Sequence, residues 1–122
     1  MDIRRFPKSR FEYFGKVALE KILKQKKIGY FYLGELLGGF RKGGYENYTK
    51  SDEFLEGIGK LKDLASKTTC AFMCAEKFPW RCHRRFVARK LNQDGFGVLH
   101  ILEEDKIWEK KKKGEKNLIL LI

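Results

Sequence analysis

Thr68-Thr69-Cys70-Ala71-Phe72-Met73-Cys74 is a run rich in β-forming residues with no polar alternation. A strand with one wet face alternates, whereas a strand covered on both faces need not, so this run predicts a buried strand of a parallel sheet. Before it, Thr49 or Ser51 is placed to cap a helix with Asp52 and Glu53 in its first turn. Phe54, Ile58, Leu61 and Leu64 or Ala65 form that helix's apolar stripe. After the run, Ala75 to Pro79 turns the chain, and Pro79 suits the start of a helix reaching about Gln93. Gly95 and Gly97 then lead into Val98-Leu99-His100-Ile101-Leu102, a further strand. Toward the N-terminus, Met1-Asp2-Ile3-Arg4 reads as a short strand broken by Pro7. A helix from Lys16 is closed by Gly29, and Tyr30-Phe31-Tyr32-Leu33 reads as an aromatic strand.

The predicted order is β-α-β-loop-α-β-α-β. It implies an α/β fold: a compact three-layer domain with a mostly parallel sheet and helices on its faces, in Rossmann-like or flavodoxin-like order. The 122 residues make one domain. Residues 103–122 form a lysine-rich C-terminal extension, with Lys110 to Lys113 consecutive, ending in the apolar Leu118-Ile119-Leu120-Leu121-Ile122. That terminus predicts an edge strand, packing on the body, or a homodimer contact.

Twenty-seven Lys and Arg against sixteen Asp and Glu give a net charge of +11. The balance favours anionic partners, either a small-molecule substrate or nucleic acid, against the plain alternative of a solvated basic surface. Nineteen Lys beside two Gln and three Asn is a bias also found in thermophile proteins. No apolar run approaches the ~20 residues that span a membrane. The basic Met1–Arg10 stretch has no apolar segment after it, so no secretory signal is read. Three cysteines do not make a disulfide scaffold, and a reducing, cytoplasmic setting is expected.

Open parallel sheets bind ligands outside the carboxyl ends of their strands. That rule gathers Arg4, Arg5, the glycine-rich Gly34–Arg41 loop, the segment after Cys74, and His100 at one rim. The densest chemistry lies in Met73-Cys74-Ala75-Glu76-Lys77-Phe78-Pro79-Trp80-Arg81-Cys82-His83-Arg84. A cysteine at a helix N-terminus, crowded by Arg81, His83 and Arg84, is placed to be a stabilised thiolate. The alternative is a small buried hydrophobe, and Cys70 is read in that way, as core. A Cys74–Cys82 redox pair lacks the C-x-x-C spacing, and Arg81 falls one residue late for a cysteine phosphatase loop, so neither is assigned. On a helix, Cys82 and His83 would point about 100° apart. No metal centre and no cofactor are therefore expected, and a Cys74, Cys82 and His100 ligand set is the remaining arrangement.

The same stretch resembles the hallmark of the DUF488 proteins (domain of unknown function 488), M-C-A-E-x-x-P-x-x-C-H-R, residue for residue. Other pieces are similar in order. Asp2-Ile3-Arg4 with Phe6-Pro7 and Ser9 resembles D-V-R-x-F-P-x-S. Leu33, Glu35 and Gly38-Gly39 resemble L-x-E-L-G-G. Glu53-Phe54, Gly57, Leu61 and Leu64 resemble E-F-x-x-G-L-x-x-L, and Gly95, Val98, His100 and Ile101 resemble G-x-x-V-x-H-I. Family members carry a further strand, an I-G-H-S-like turn and a helix before the D-V-R segment, and the chain is expected to lack them. Leu37 is extra in the loop, and Gly34 stands where Pro is common. The resemblance implies a fold and a site; it implies no reaction.

From the residues, the catalytic candidates are Cys74, Cys82, His83 and Glu76. The substrate-binding candidates are Arg4, Arg5, Glu35, Arg41, Arg81, Arg84 and His100. Glu35 and Glu76 read first as partners that hold arginines, with a general base as the alternative. The expected function is a small enzyme acting on a phosphate- or carboxylate-bearing substrate. The alternative is a non-catalytic nucleic-acid-binding module. It would use the stripe Arg81, Arg85 and Arg89, the lysine tail, and Tyr45, Tyr48 and Trp80 as stacking surfaces.

Overall fold

A computed structural model describes residues 1–9, 11–76, 81–103, 106–109 and 117–121. The elements are α1 (Lys16–Gln25), α2 (Gly34–Leu37), α3 (Tyr45–Tyr48), α4 (Asp52–Lys67), β1 (Cys70–Phe72), α5 (Arg84–Gln93), β2 (Phe96–Glu103), β3 (Lys106–Glu109) and β4 (Asn117–Leu121). The expected three-layer, mostly parallel Rossmann-like domain is not what forms. The chain is helix-rich, and the regular sheet is small, in the order β1-β4-β2-β3. β2 and β3 are an antiparallel hairpin, while β1 is only three residues long. The segments predicted as the first two strands are reduced to single bridges, Asp2 with Tyr32 and Asp2 with Met73. The reason is local. Asp2 and Arg4 turn their side chains into a buried ion pair, Pro7 ends the first segment, and residues after Leu33 coil at once into α2.

Several other expectations change in detail. α1 ends at Gln25 rather than Gly29, because Lys27 takes the left-handed conformation (φ 60°) and Ile28 N–H bonds back to the Leu23 carbonyl at 2.9 Å. The segment expected as a glycine-rich loop from Gly34 is partly helical. It folds into α2 and α3, which Tyr45 and Tyr48 tie together by donating to the Leu37 and Leu36 carbonyls, both at 2.7 Å. The C-terminal apolar segment is an interior strand, with β4 lying between β1 and β2 and parallel to both. α5 begins at Arg84, so Cys82 and His83 sit in the turn before the helix. The lysine run 110–116, Pro79 and Trp80 lie outside the described residues.

α4 follows its sequence closely. The Ser51 hydroxyl accepts from Phe54 N–H at 3.2 Å and caps it. Phe54, Ile58, Leu61 and Ala65 are buried against Leu37 of α2, Phe72 of β1 and Val87 and Leu91 of α5. Each large side chain buried in this way contributes roughly 1.5–3 kcal/mol relative to exposure. Ile3 joins the same core with no exposed surface, which sets the N-terminal segment at the centre of the molecule. Among the described residues, no helix is long and apolar enough to cross a membrane.

Two glycines make opposite predictions. A Cβ on Gly38 would meet the Arg5 Cα at 2.6 Å as well as the Gly34 carbonyl, so backbone would have to move. Gly38→Ala is expected to destabilise by about 1–3 kcal/mol in urea unfolding. Gly59, within α4, has open space around it, so Gly59→Ala is expected to stabilise by about 1 kcal/mol in the same measurement.

Candidate functional site

Cys74 lies two residues beyond β1, next to Met73, whose carbonyl accepts Ile3 N–H at 3.1 Å and holds this segment beside the N-terminal one. Cys82 and His83 come from the turn that opens α5. The three ligand-type atoms, two sulfurs and an imidazole nitrogen, lie within 4.8 Å of one another. That corrects the expectation that Cys82 and His83 must diverge, which holds only within a regular helix.

Each group has a defined partner. His83 Nε2 lies 3.1 Å from the Ile3 carbonyl, which can only accept, so Nε2 carries the hydrogen. Nδ1 is then an acceptor, 4.0 Å from Cys74 Sγ. Burial, above all, lowers the His83 pKa, with the Arg84 and Arg41 charges acting in the same direction, so the ring is neutral. Gly39 lies against it: a Cβ there would sit 3.1 Å from Nδ1. The Tyr45 ring also packs on the imidazole, with ring centroids 5.2 Å apart.

Cys82 Sγ accepts Arg84 backbone N–H at 3.3 Å and Arg84 Nε–H at 3.0 Å. It takes up a backbone donor of the kind a helix start leaves without an intrahelical partner. A hydrogen bond from the Cys74 thiol is the strongest influence on Cys82. Burial opposes it, the Arg84 donors reinforce it, and the Cys82 pKa is pulled down to about 6. The same bond, together with burial, drives the Cys74 pKa far upward. The Arg84 donors thus favour the thiolate form on Cys82 over Cys74.

Arg84 is 1% exposed, and its far end donates to the Glu76 carbonyl. Glu76 therefore serves the site through its backbone, and its side chain is exposed. His100, from β2, is buried behind Arg84. Burial first, and the Arg84 charge second, push its pKa down to about 4, so it is neutral.

The other candidate residues have different work. Arg4 is 5% exposed and spends its donors on Asp2, at 2.8 and 2.7 Å, and on the Phe14 carbonyl at 2.7 Å. Arg41 staples the loop by donating to the Gly38 carbonyl at 2.9 Å and to that of Glu35, and it covers the Tyr48 ring at 4.1 Å. Glu35 itself is exposed. Arg5 reaches the Phe40 carbonyl at 3.4 Å. Arg81 is exposed in the turn beside Cys82. Cys70 is half-buried and points its thiol at the Thr68 carbonyl, so it flanks the core rather than filling it.

A cleft of about 940 Å³ runs between α1 and β1, lined by apolar side chains such as Phe14, Leu19, Leu23, Phe31 and Met73, and reaches Cys74. Its wall is mostly apolar, with Arg4 and Lys27 also lining it, while the Arg84 and Arg41 charges act on the cluster at His83. Two sulfurs and an imidazole are ligands of the kind a soft divalent ion takes. The Cys82 sulfur, however, is already engaged by two N–H donors of Arg84.

Residues 1–91 match the family described as Domain of unknown function DUF488. The chain belongs to the DUF488 family. No curated protein and no solved structure matches it. The match to DUF488 spans the whole cluster, from Asp2 through Cys74 to Arg84.

Sequence reasoning passed over Asp2 and Tyr30. Asp2 has no exposed surface, and its carboxylate also accepts the Tyr30 hydroxyl at 2.5 Å. The available signal was the i, i+2 spacing of Asp2 and Arg4, which places both on one face of an extended segment. Burial works to raise the Asp2 pKa, but the hydrogen bonds from Arg4 and Tyr30 outweigh it and the net shift is downward. This stabilisation is present above the ordinary carboxylate range and is lost as pH falls through the lowered folded value. Asp2→Asn is expected to cost about 3–5 kcal/mol in urea unfolding at pH 7, because Arg4 stays buried without its counter-charge. Measured again near pH 3, the gap between the two proteins should narrow.

Proposed function

We propose that this DUF488 protein is a small enzyme in which the Cys82 thiolate attacks an electrophilic centre on an anionic substrate. The observation that carries the reading is the pair of Arg84 hydrogen bonds to Cys82 Sγ, at 3.3 and 3.0 Å. A thiolate is the nucleophilic form of cysteine, and a fixed arginine holds it ionised without a metal or a proton acceptor. His83 supports the reading as a neutral base beside the second thiol. The positive charge of Arg84 and Arg41 around the cluster, and the exposed Arg81, support an anionic substrate. So does the net charge of +11. Glu76 enters as the residue whose carbonyl anchors Arg84.

One observation favours a second reading, a polyanion-binding face. Arg85 and Arg89 are exposed on α5 and lie over the Phe86 ring at 4.6 and 5.4 Å, a flat cationic surface next to an aromatic.

The two readings separate experimentally. Iodoacetamide alkylation of Cys82 should be half-maximal near pH 6. At that pH it should exceed alkylation of Cys70 about tenfold, the gain in thiolate fraction being partly offset by lower intrinsic nucleophilicity. Cys82→Ser should remove the fast site. Alkylation of all three cysteines only above pH 8 would overturn the thiolate reading. Salt-sensitive binding of single-stranded nucleic acid, lost in the Arg85→Ala/Arg89→Ala double variant and retained in Cys82→Ser, would then favour the second.

A further inference from the structure

We infer that Cys74 and Cys82 form a dithiol/disulfide couple, and that the site exchanges with anionic low-molecular-weight disulfides. The inference rests on the Cys82 thiolate reading and goes beyond it by naming the substrate class. It stands on geometry. Two sulfurs from separate segments, one just past β1 and one in the turn before α5, lie with an imidazole nitrogen of His83 within 4.8 Å of one another. His83 Nδ1 lies 4.0 Å from the Cys74 sulfur, while Cys82 is held by the Arg84 donors. A site built only for acyl or phosphoryl transfer has no use for a second thiol with its own base. A site that must resolve a mixed disulfide needs both.

The sequence of steps balances. Cys82 thiolate attacks one sulfur of R–S–S–R, forming Cys82–S–S–R and releasing R–S⁻, which is protonated by solvent. Cys82 has then lost its negative charge, so the Cys74 thiol no longer has an anion to donate to. His83 Nδ1 lies 4.0 Å away as an acceptor. His83 takes the proton, and Cys74 thiolate attacks Cys82 Sγ. The Cys74–Cys82 disulfide forms, and the second R–S⁻ leaves with the proton held by His83. The substrate gains two electrons and the two cysteines lose them. A low-molecular-weight thiol or dithiol returns the protein to the reduced state by the reverse exchange. Arg84 remains on Cys82 through both steps, and the positive surroundings favour an R group that carries carboxylates or phosphates. Cys70, with its thiol on the Thr68 carbonyl, takes no part.

The test uses the full chain equilibrated in mixtures of reduced and oxidised glutathione, a carboxylate-bearing disulfide. The protein is quenched with an alkylating agent and mapped by mass spectrometry. The expected result is that Cys74 and Cys82 lose their alkylation sites together, with a Cys74–Cys82 linked peptide, while Cys70 stays alkylatable. Cys74→Ser should stop at a glutathione adduct on Cys82. His83→Gln should slow conversion of that adduct to the internal disulfide about tenfold or more, with the first step little changed. Rapid alkylation of Cys82 near pH 6, with a glutathione adduct that persists in the unmodified chain, would overturn this inference and leave the thiolate reading standing. Absence of the fast Cys82 site would overturn both.

Discussion

The N-terminal segment Asp2–Arg4 holds the protein together through one buried ion pair and a set of backbone bonds. Asp2 N–H donates to the Phe31 carbonyl and the Asp2 carbonyl accepts from Leu33, while Ile3 N–H reaches Met73. The Ile3 carbonyl accepts from His83. Three residues thus tie together the Tyr30–Leu33 segment, the end of β1 and the turn before α5. A carboxylate with no exposed surface is costly to bury, so the arrangement requires the Arg4 and Tyr30 donors to stay in place. With those donors fixed, Ile3 fills the core and its carbonyl is left facing the imidazole.

The site's chemistry follows from that placement. Because Ile3 takes the Nε2 hydrogen, His83 presents an acceptor nitrogen to Cys74. Because Arg84 is buried and anchored on the Glu76 carbonyl, its Nε is fixed on Cys82 rather than sampling solvent. Two chemically identical side chains are placed differently, Cys82 among the Arg84 donors and Cys74 beside an imidazole nitrogen. Gly39 completes the enclosure, since a side chain there would press on the imidazole.

Much of the arginine content has a structural role that composition alone does not separate from ligand binding. Arg4 and Arg41 looked like anion clamps, yet both satisfy internal acceptors: a carboxylate and a carbonyl for Arg4, loop carbonyls for Arg41. Backbone carbonyls that leave regular structure need donors, and a long guanidinium reaches several at once. The exposed cations of α5 and of the turn at Arg81 are the ones positioned to meet a partner.

Sequence by itself determined the elements whose signals are local. α4 was legible from its serine cap and its apolar spacing, β1 from an unbroken β-rich run, and the concentration of chemistry at Cys74–Arg84 from the motif. Those features depend on neighbours three or four residues away, or on residue identity alone. Only the tertiary structure decided the sheet order, in which the C-terminal β4 enters between β1 and β2, and the loss of the two early strands to single bridges. It also decided that Cys82 and His83 converge with Cys74, and that Asp2 neutralises Arg4. The sheet order and the cysteine–histidine cluster are set by contacts between segments far apart in the chain, and the Asp2–Arg4 pair by the burial that those contacts impose on it. Such contacts form where burial and hydrogen-bond satisfaction are best met over the whole molecule, which no local pattern records.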